Sequence, residues 1–159
     1  MYEKVRFIAK AGIIAAIYAA VTVLVAPLSY GSLQMRISEA LTVLPYFTKA
    51  SIPGLFIGCL LANFFGSPLG MLDVVLGSLS TLVAALWASK IKTKAFLPLP
   101  SIIVNALVVP YVLWQALGVP YLPSVLYVGL GQAIVTYVLG YPLLLYIDKN
   151  SILKENIQD

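Results

Sequence analysis

Six apolar runs, each closed by glycine, proline or charged residues, divide the chain. The first, residues 7–27, has Lys4, Arg6 and Lys10 about its start, and its apolar part from Ala11 to Pro27 outlasts the ~7–15-residue core of a signal peptide, so it reads as a retained helix. The second and third, 36–47 and 52–65, are short: their apolar parts reach only about 17 Å and about 21 Å as α-helices, against a hydrocarbon core roughly 30 Å thick. They either draw length from their flanks or pair as a hairpin that re-enters the membrane. A hairpin would leave Lys49 in hydrocarbon at a cost of about 2.5–3.5 kcal/mol, which favours two separate spans. The fourth run, 71–89, follows the turn Gly66-Ser67-Pro68-Leu69-Gly70. The fifth, 97–117, and the sixth, 122–147, flank Gly118-Val119-Pro120-Tyr121, and the chain is polar from Asp148 onward. The pattern predicts an all-α integral membrane protein, a compact bundle of six transmembrane helices forming one domain over residues 1–159.

Composition agrees, since 61% of the 159 residues are hydrophobic and 10% charged, where a soluble domain carries about 25% charged residues. A net charge of +4 does not point to nucleic acid, because the basic residues are scattered between apolar runs. They read instead as topology signals. Six spans put both termini on one face together with Lys49 and the Lys90, Lys92, Lys94 cluster. That face then holds nine of the ten basic residues, all but Arg36, so the termini are expected to be cytoplasmic. Glu3, Asp148, Glu155 and Asp159 fall on the same side. The expected location is the cell membrane of a prokaryote. No internal repeat supports an inverted-repeat carrier.

Arg36-Ile37-Ser38-Glu39 places a guanidinium and a carboxylate at the mouth of the second run, in a chain that otherwise keeps charge out of such runs. Glu39 and Asp73 are the acidic residues at the outer ends of helices. Asn63 ends the third run on that side, and Asn105 and Gln132 lie deeper in the fifth and sixth. Tyr30, Trp114, Tyr121 and Tyr127 supply aromatic faces. Converging, these groups would form an outward polar pocket for a flat, nitrogen-rich small molecule. Structural roles compete at each position. Arg36 and Glu39 can pair at i, i+3, carboxylates suit a first helical turn, Asn63 and Asn105 can bridge helices, and boundary aromatics are commonly belt residues. Asp73 shares a face with Gly77, Ser80 and Thr81 and can hold a helix contact. In the first helix Ala11, Ala15 and Ala19, beside Gly12 and Ala16, form a strip without bulky side chains. It allows close approach by a partner's helix or by another helix of this chain.

Enzymatic chemistry has little support. The chain lacks histidine, so imidazole bases and ligands are absent, and no phosphate-binding glycine loop occurs. The lone Cys59 excludes an internal disulfide and a cysteine metal cluster and reads as a packing residue. A small channel or stand-alone carrier is a third class, although its polar groups would be expected as a ring of one residue type.

The stretch Tyr30-Gly31-Ser32-Leu33-Gln34-Met35-Arg36-Ile37-Ser38-Glu39-Ala40-Leu41-Thr42-Val43-Leu44-Pro45, with Ile52-Pro53-Gly54-Leu55-Phe56-Ile57-Gly58-Cys59-Leu60-Leu61-Ala62-Asn63 and Asp73-Val74-Val75-Leu76-Gly77-Ser78-Leu79, resembles the QueT family over essentially the whole chain. Such proteins are S components, the substrate-binding membrane subunits of energy-coupling factor importers, assigned to queuosine precursors. The resemblance implies a 7-deazaguanine ligand (preQ1 or preQ0), a transmembrane T component as partner, and two cytoplasmic ATPases that use the ATP, with no cofactor in this chain. It also implies that the alanine strip meets the T component. One of Glu39 and Asp73 would accept the N–H edge of the base and the other face an aminomethyl group, in either order. Asn63, Asn105 and Gln132 would serve the remaining polar atoms, Tyr30 would stack, and Arg36 would orient Glu39 or the loop. An S component for another flat vitamin, thiamine or riboflavin, is the alternative within this class.

Overall fold

The computed structural model describes residues 2–31 and 34–158; Met1, Ser32, Leu33 and Asp159 lie outside the described residues. Among the described residues every regular element is helical. Helix α1 (Tyr2–Leu24) is followed by one short turn, α2 (Ala26–Ser29), and then by a 3₁₀ helix, Ile37–Tyr46. Helix α3 (Ser51–Gly66) leads to a π turn, Asp73–Gly77, that runs directly into α4 (Ser78–Ala88). After a 3₁₀ turn at Lys94–Phe96 come α5 (Leu99–Leu117) and α6 (Tyr121–Ile134), the latter continuing through a π turn, Val135–Gly140, into α7 (Tyr141–Lys149). A short α8 (Ser151–Ile157) closes the described chain.

Local chemistry explains the breaks. Helix α5 ends where Gly118 takes a left-handed φ of 68° and its N–H returns to Trp114 O at 2.9 Å, the usual glycine stop; Pro120 then precedes α6. Asn150 caps α8 by accepting from Leu153 N–H at 3.2 Å.

The six apolar runs reappear as helical segments, with one change of type. Residues 37–46 wind as 3₁₀, at ~2.0 Å per residue, which stretches the segment to about 20 Å. Pro45 lies inside it and brings no N–H, and Thr42 Oγ1 donates back to Glu39 O at 2.6 Å. The segment is buried nearly all round, through Ser38, Glu39, Ala40, Thr42, Val43, Leu44 and Pro45, and is the strut about which the other helices pack. Three helical stretches are long and apolar enough to cross a membrane: Tyr2–Leu24, Lys94–Leu117 and Tyr121–Lys149. Ser51–Gly66 and Asp73–Ala88 are apolar but shorter.

The distribution of residues is that of a membrane protein. Arg36, Glu39, Asn63, Asp73, Asn105 and Gln132 are buried, whereas Ile13, Phe64, Val83, Leu107, Leu126 and Val138 project outward. Lipid accepts that apolar exterior, and the buried polar groups must then find partners inside. The basic residues of the chain ends gather at one end of the bundle. Arg6 and Lys10 donate to the last carbonyls of α8, Lys10 to Ile157 O and Gln158 O at 2.9 Å each. Asp148 bridges Lys94 and Lys154.

Helix α1 packs most intimately on α3, and small residues are the reason. A Cβ at Gly54 would lie 2.8 Å from Ala11 O, and one at Gly58 would lie 2.8 Å from both Ala15 O and Tyr18 Cβ. Ala11 and Ala15 are therefore buried inside this chain, with Ala19 against the same core. Of the two contacts open to that strip, the one with another helix of this chain is the one Ala11 and Ala15 make. Gly54 and Gly58 form the Gly-x-x-x-Gly pattern that lets membrane helices approach closely. The adjacent row, Gly12 and Ala16, faces outward, and a Cβ on Gly12 would meet nothing within 4 Å. Gly58→Val should accordingly lower stability by about 3 kcal/mol, by overpacking against backbone. Gly12→Ala should leave it equal or raise it by roughly 0.5–1 kcal/mol; thermal unfolding of the purified variants in detergent checks both.

Candidate functional site

The polar residues anticipated from the sequence meet in one continuous network with two centres. The first is an ion pair. Arg36 Nη2 lies 3.0 Å from Asp73 Oδ2 and 3.3 Å from Oδ1, with both side chains almost wholly buried. Arg36 precedes the 3₁₀ helix in an extended conformation (φ −76°, ψ 100°), so its side chain leaves the helix and does not eclipse Glu39. For this reason the i, i+3 pairing with Glu39 does not form, nor does Arg36 orient that carboxylate. Asp73 opens the π turn before α4, and its carboxylate folds over Gly77, where a Cβ would stand 2.5 Å from Oδ1. Ser67 Oγ donates to Asp73 Oδ2 at 2.6 Å, and Asn63 Nδ2 donates to Asp73 O at 2.9 Å.

Tyr30 completes this centre. Its ring carries the Arg36 guanidinium 5.1 Å from the centroid, a cation–π contact, and its hydroxyl donates to Ala62 O at 2.7 Å and approaches Asn63 Oδ1 at 3.3 Å. The expected stacking of Tyr30 on a ligand is thus replaced, on that face, by stacking on Arg36. Trp114 and Tyr127 are about half exposed on the outer surface, away from the network, where boundary aromatics are at home. Tyr121 donates outward-lying to Leu107 O at 3.0 Å.

The second centre is Glu39, on the 3₁₀ strut. Its Oε1 accepts from Tyr18 Oη of α1 and from Thr81 Oγ1 of α4 at 3.3 Å. Its Oε2 accepts from Ser101 Oγ at 2.6 Å and Asn105 Nδ2 at 3.3 Å, both on α5 and one turn apart. Every donor is neutral, and the cation that stood three residues away belongs to Asp73. Asn105 is held in turn by Ser80 Oγ at 2.8 Å. Gln132 of α6 reaches Ser101 Oγ at 3.3 Å through Oε1 and donates through Nε2 to Gln34 O at 3.4 Å. Cys59 joins the centres: Arg36 Nη1 lies 3.6 Å and Thr81 Oγ1 3.3 Å from its sulfur.

Sequence reasoning overlooked Tyr18, Thr81, Ser101, Ser67 and Gln34. For Ser101 and Asn105 the usable signal was two polar residues one helical turn apart in an apolar run, and for Tyr18 a hydroxyl alone within the first helix. The arrangement is a closed, helix-bounded polar interior, able to accept N–H donors at Glu39 but equipped with no metal cluster among the described residues.

A buried polar network beneath an apolar exterior is the arrangement of a helical membrane protein. The chain matches the model of the QueT transporter family over residues 8–149 and belongs to that family. A curated relative, the queuosine precursor transporter QueT of Lactococcus lactis subsp. cremoris (strain MG1363), is 40% identical over 73 residues, covering 45% of this chain and 42% of that protein. No solved structure matches the chain. It is thus a multi-pass membrane protein of a transporter family.

Removing one member of the buried ion pair leaves an uncompensated charge, whereas removing both does not. Asp73→Asn should therefore cost about 3–5 kcal/mol of stability, and the double variant Arg36→Met with Asp73→Leu should recover most of it. A double-mutant cycle on unfolding in detergent measures the coupling.

Proposed function

We propose that this chain is the substrate-binding membrane subunit, the S component, of an energy-coupling factor importer, and that it captures a queuosine precursor, a 7-deazaguanine, from outside the cell. Family membership supports the class, and one observation carries the ligand: Glu39, a buried carboxylate engaged only by neutral donors. A carboxylate offers about four acceptor positions, and all are occupied here, two firmly by Tyr18 and Ser101 and two loosely at 3.3 Å by Thr81 and Asn105. The loose pair falls one on each oxygen. A guanine-type edge, with its ring N–H beside an exocyclic amino group, would replace them one for one. Asp73, bound to Arg36, takes no part in that exchange, so the two roles considered for the carboxylates fall to Glu39 alone. Asn105 and Gln132 border it and would serve further ring atoms.

Direction and partners complete the reading. The end that gathers Arg6, Lys10, Lys94 and Lys154 faces the cytoplasm under the positive-inside rule, and in a six-span arrangement Arg36 would lie on the other side. A T component would dock on the outward row Gly12 and Ala16, and two ATPases beneath it would supply the energy. The host membrane is then the cell membrane of a prokaryote.

Isothermal calorimetry with 7-aminomethyl-7-deazaguanine tests the site. Glu39→Gln should lower affinity by about 10⁴-fold or more, because the site would present a mismatched donor to the N–H edge. Wild-type affinity in that variant, or no binding by the unaltered protein, would refute the reading. For docking, Ala16→Trp should bind the base normally yet lose copurification with the T component and ATPases. Unimpaired complex formation would remove Gly12 and Ala16 from the interface.

A further inference from the structure

Nearly every buried polar side chain of the network has a partner. Among the described residues the exceptions are Gln34 Oε1, Gln34 Nε2, Arg36 Nε and Ser78 Oγ, and the first three belong to residues only two positions apart in the chain. Gln34 is only 1% exposed and holds a left-handed φ of 48°, a conformation uncommon for glutamine. Its backbone is fully used: the N–H donates to Gly31 O at 2.9 Å, and the carbonyl accepts from Arg36 N–H at 2.9 Å and from Gln132 Nε2 at 3.4 Å. An unusual backbone thus holds a primary amide inside the polar interior, where it bonds to nothing. Orphaned buried groups of this kind are rare and call for a reason, and strained positions that persist tend to mark binding sites.

We infer that the Gln34 side-chain amide is a ligand-reading group, taking the edge of the heterocycle that adjoins the one accepted by Glu39. The inference rests on the proposed 7-deazaguanine reading. A carboxylate only accepts and a guanidinium only donates, whereas a primary amide does both at once. That adjoining edge of a 7-deazaguanine presents a ring nitrogen acceptor beside the five-membered ring N–H. Gln34 Nε2 donates to the first while Oε1 accepts from the second, the two-point geometry by which glutamine reads the edge of adenine. Since a sugar on the five-membered ring nitrogen would remove the N–H, Gln34 selects the free base over its nucleoside.

Calorimetry and thermal unfolding of three proteins, wild type, Gln34→Met and Gln34→Gly, test this with 7-aminomethyl-7-deazaguanine and its 9-methyl derivative. Loss of two neutral hydrogen bonds predicts affinity for the parent base roughly 10–100-fold weaker in both variants. Unliganded Gln34→Met should melt no lower than wild type, because an unsatisfied amide has been removed, and Gln34→Gly suits the positive φ. Wild type should favour the parent base over the 9-methyl derivative, and Gln34→Gly, which also frees space, should bind the two alike. Wild-type affinity in the variants overturns the assignment, as does a fall in unliganded melting temperature that accompanies the loss of binding in both. If wild type itself binds neither compound, the 7-deazaguanine reading falls and takes the assignment with it.

Discussion

The buried pair of Arg36 and Asp73 governs the chemistry of the interior. An isolated charge inside a membrane protein is costly, and among the described residues three side chains of the charged types, Arg36, Glu39 and Asp73, are buried within the bundle. Coupling Arg36 to Asp73 disposes of two, and Ser67, Asn63 and the Tyr30 ring complete their surroundings. The pair also ties the loop before the 3₁₀ strut to the π turn that opens α4, two segments with few other reasons to meet. Its desolvation cost makes it a weak source of stability but a strong constraint on arrangement. The result is that Glu39 remains the one carboxylate of the interior without a cationic partner.

Backbone geometry serves this arrangement. The 3₁₀ strut passes through the middle of the bundle, so a side chain on it reaches α1, α4 and α5 at once, as Glu39 does. Its neighbours make way for it. A Cβ on Gly140, in the second π turn, would lie 3.1 Å from Ala40 O, so the helix from α6 to α7 can come close only because that position is bare. The same device brings α1 onto α3 at Gly54 and Gly58. In lipid, where burial of apolar surface gives little drive between helices, close backbone approach and internal hydrogen bonds must hold the fold together.

Much of this was legible in the sequence, and the rest failed for identifiable reasons. Apolar runs are a local signal, so the helical segments and their breaks at Gly66 to Gly70 and Gly118 to Tyr121 could be read directly. The convergence of Glu39, Asp73, Asn63, Asn105 and Gln132 was also legible, since a polar residue inside an apolar run has few places to go. The partner choices were not. Arg36 lies three residues from Glu39 but pairs with Asp73, because the extended backbone at position 36 turns the side chain away from the helix. Two neighbouring rows of small residues on α1 look alike in sequence, and only the glycines of α3 decide that Ala11 and Ala15 turn inward. The 3₁₀ winding of 37–46 is equally hidden, because its apolar content suits an α-helix as well.

The closed interior also bears on where affinity for a ligand can come from. On the proposed reading a ligand N–H would replace a protein donor at Glu39, Thr81 or Asn105, so the number of hydrogen bonds to the carboxylate would be unchanged and the gain only the difference between a 3.3 Å contact and a shorter one. Exchange of this kind confers selectivity, since a ligand without matching donors restores nothing, but it yields little net binding energy. The groups that gain outright are those with no partner beforehand, and these are concentrated at Gln34 and Arg36. On the proposed reading, the two sides of the site therefore act differently: Glu39 rejects unsuitable solutes, and the loop residues supply the free energy that holds the suitable one.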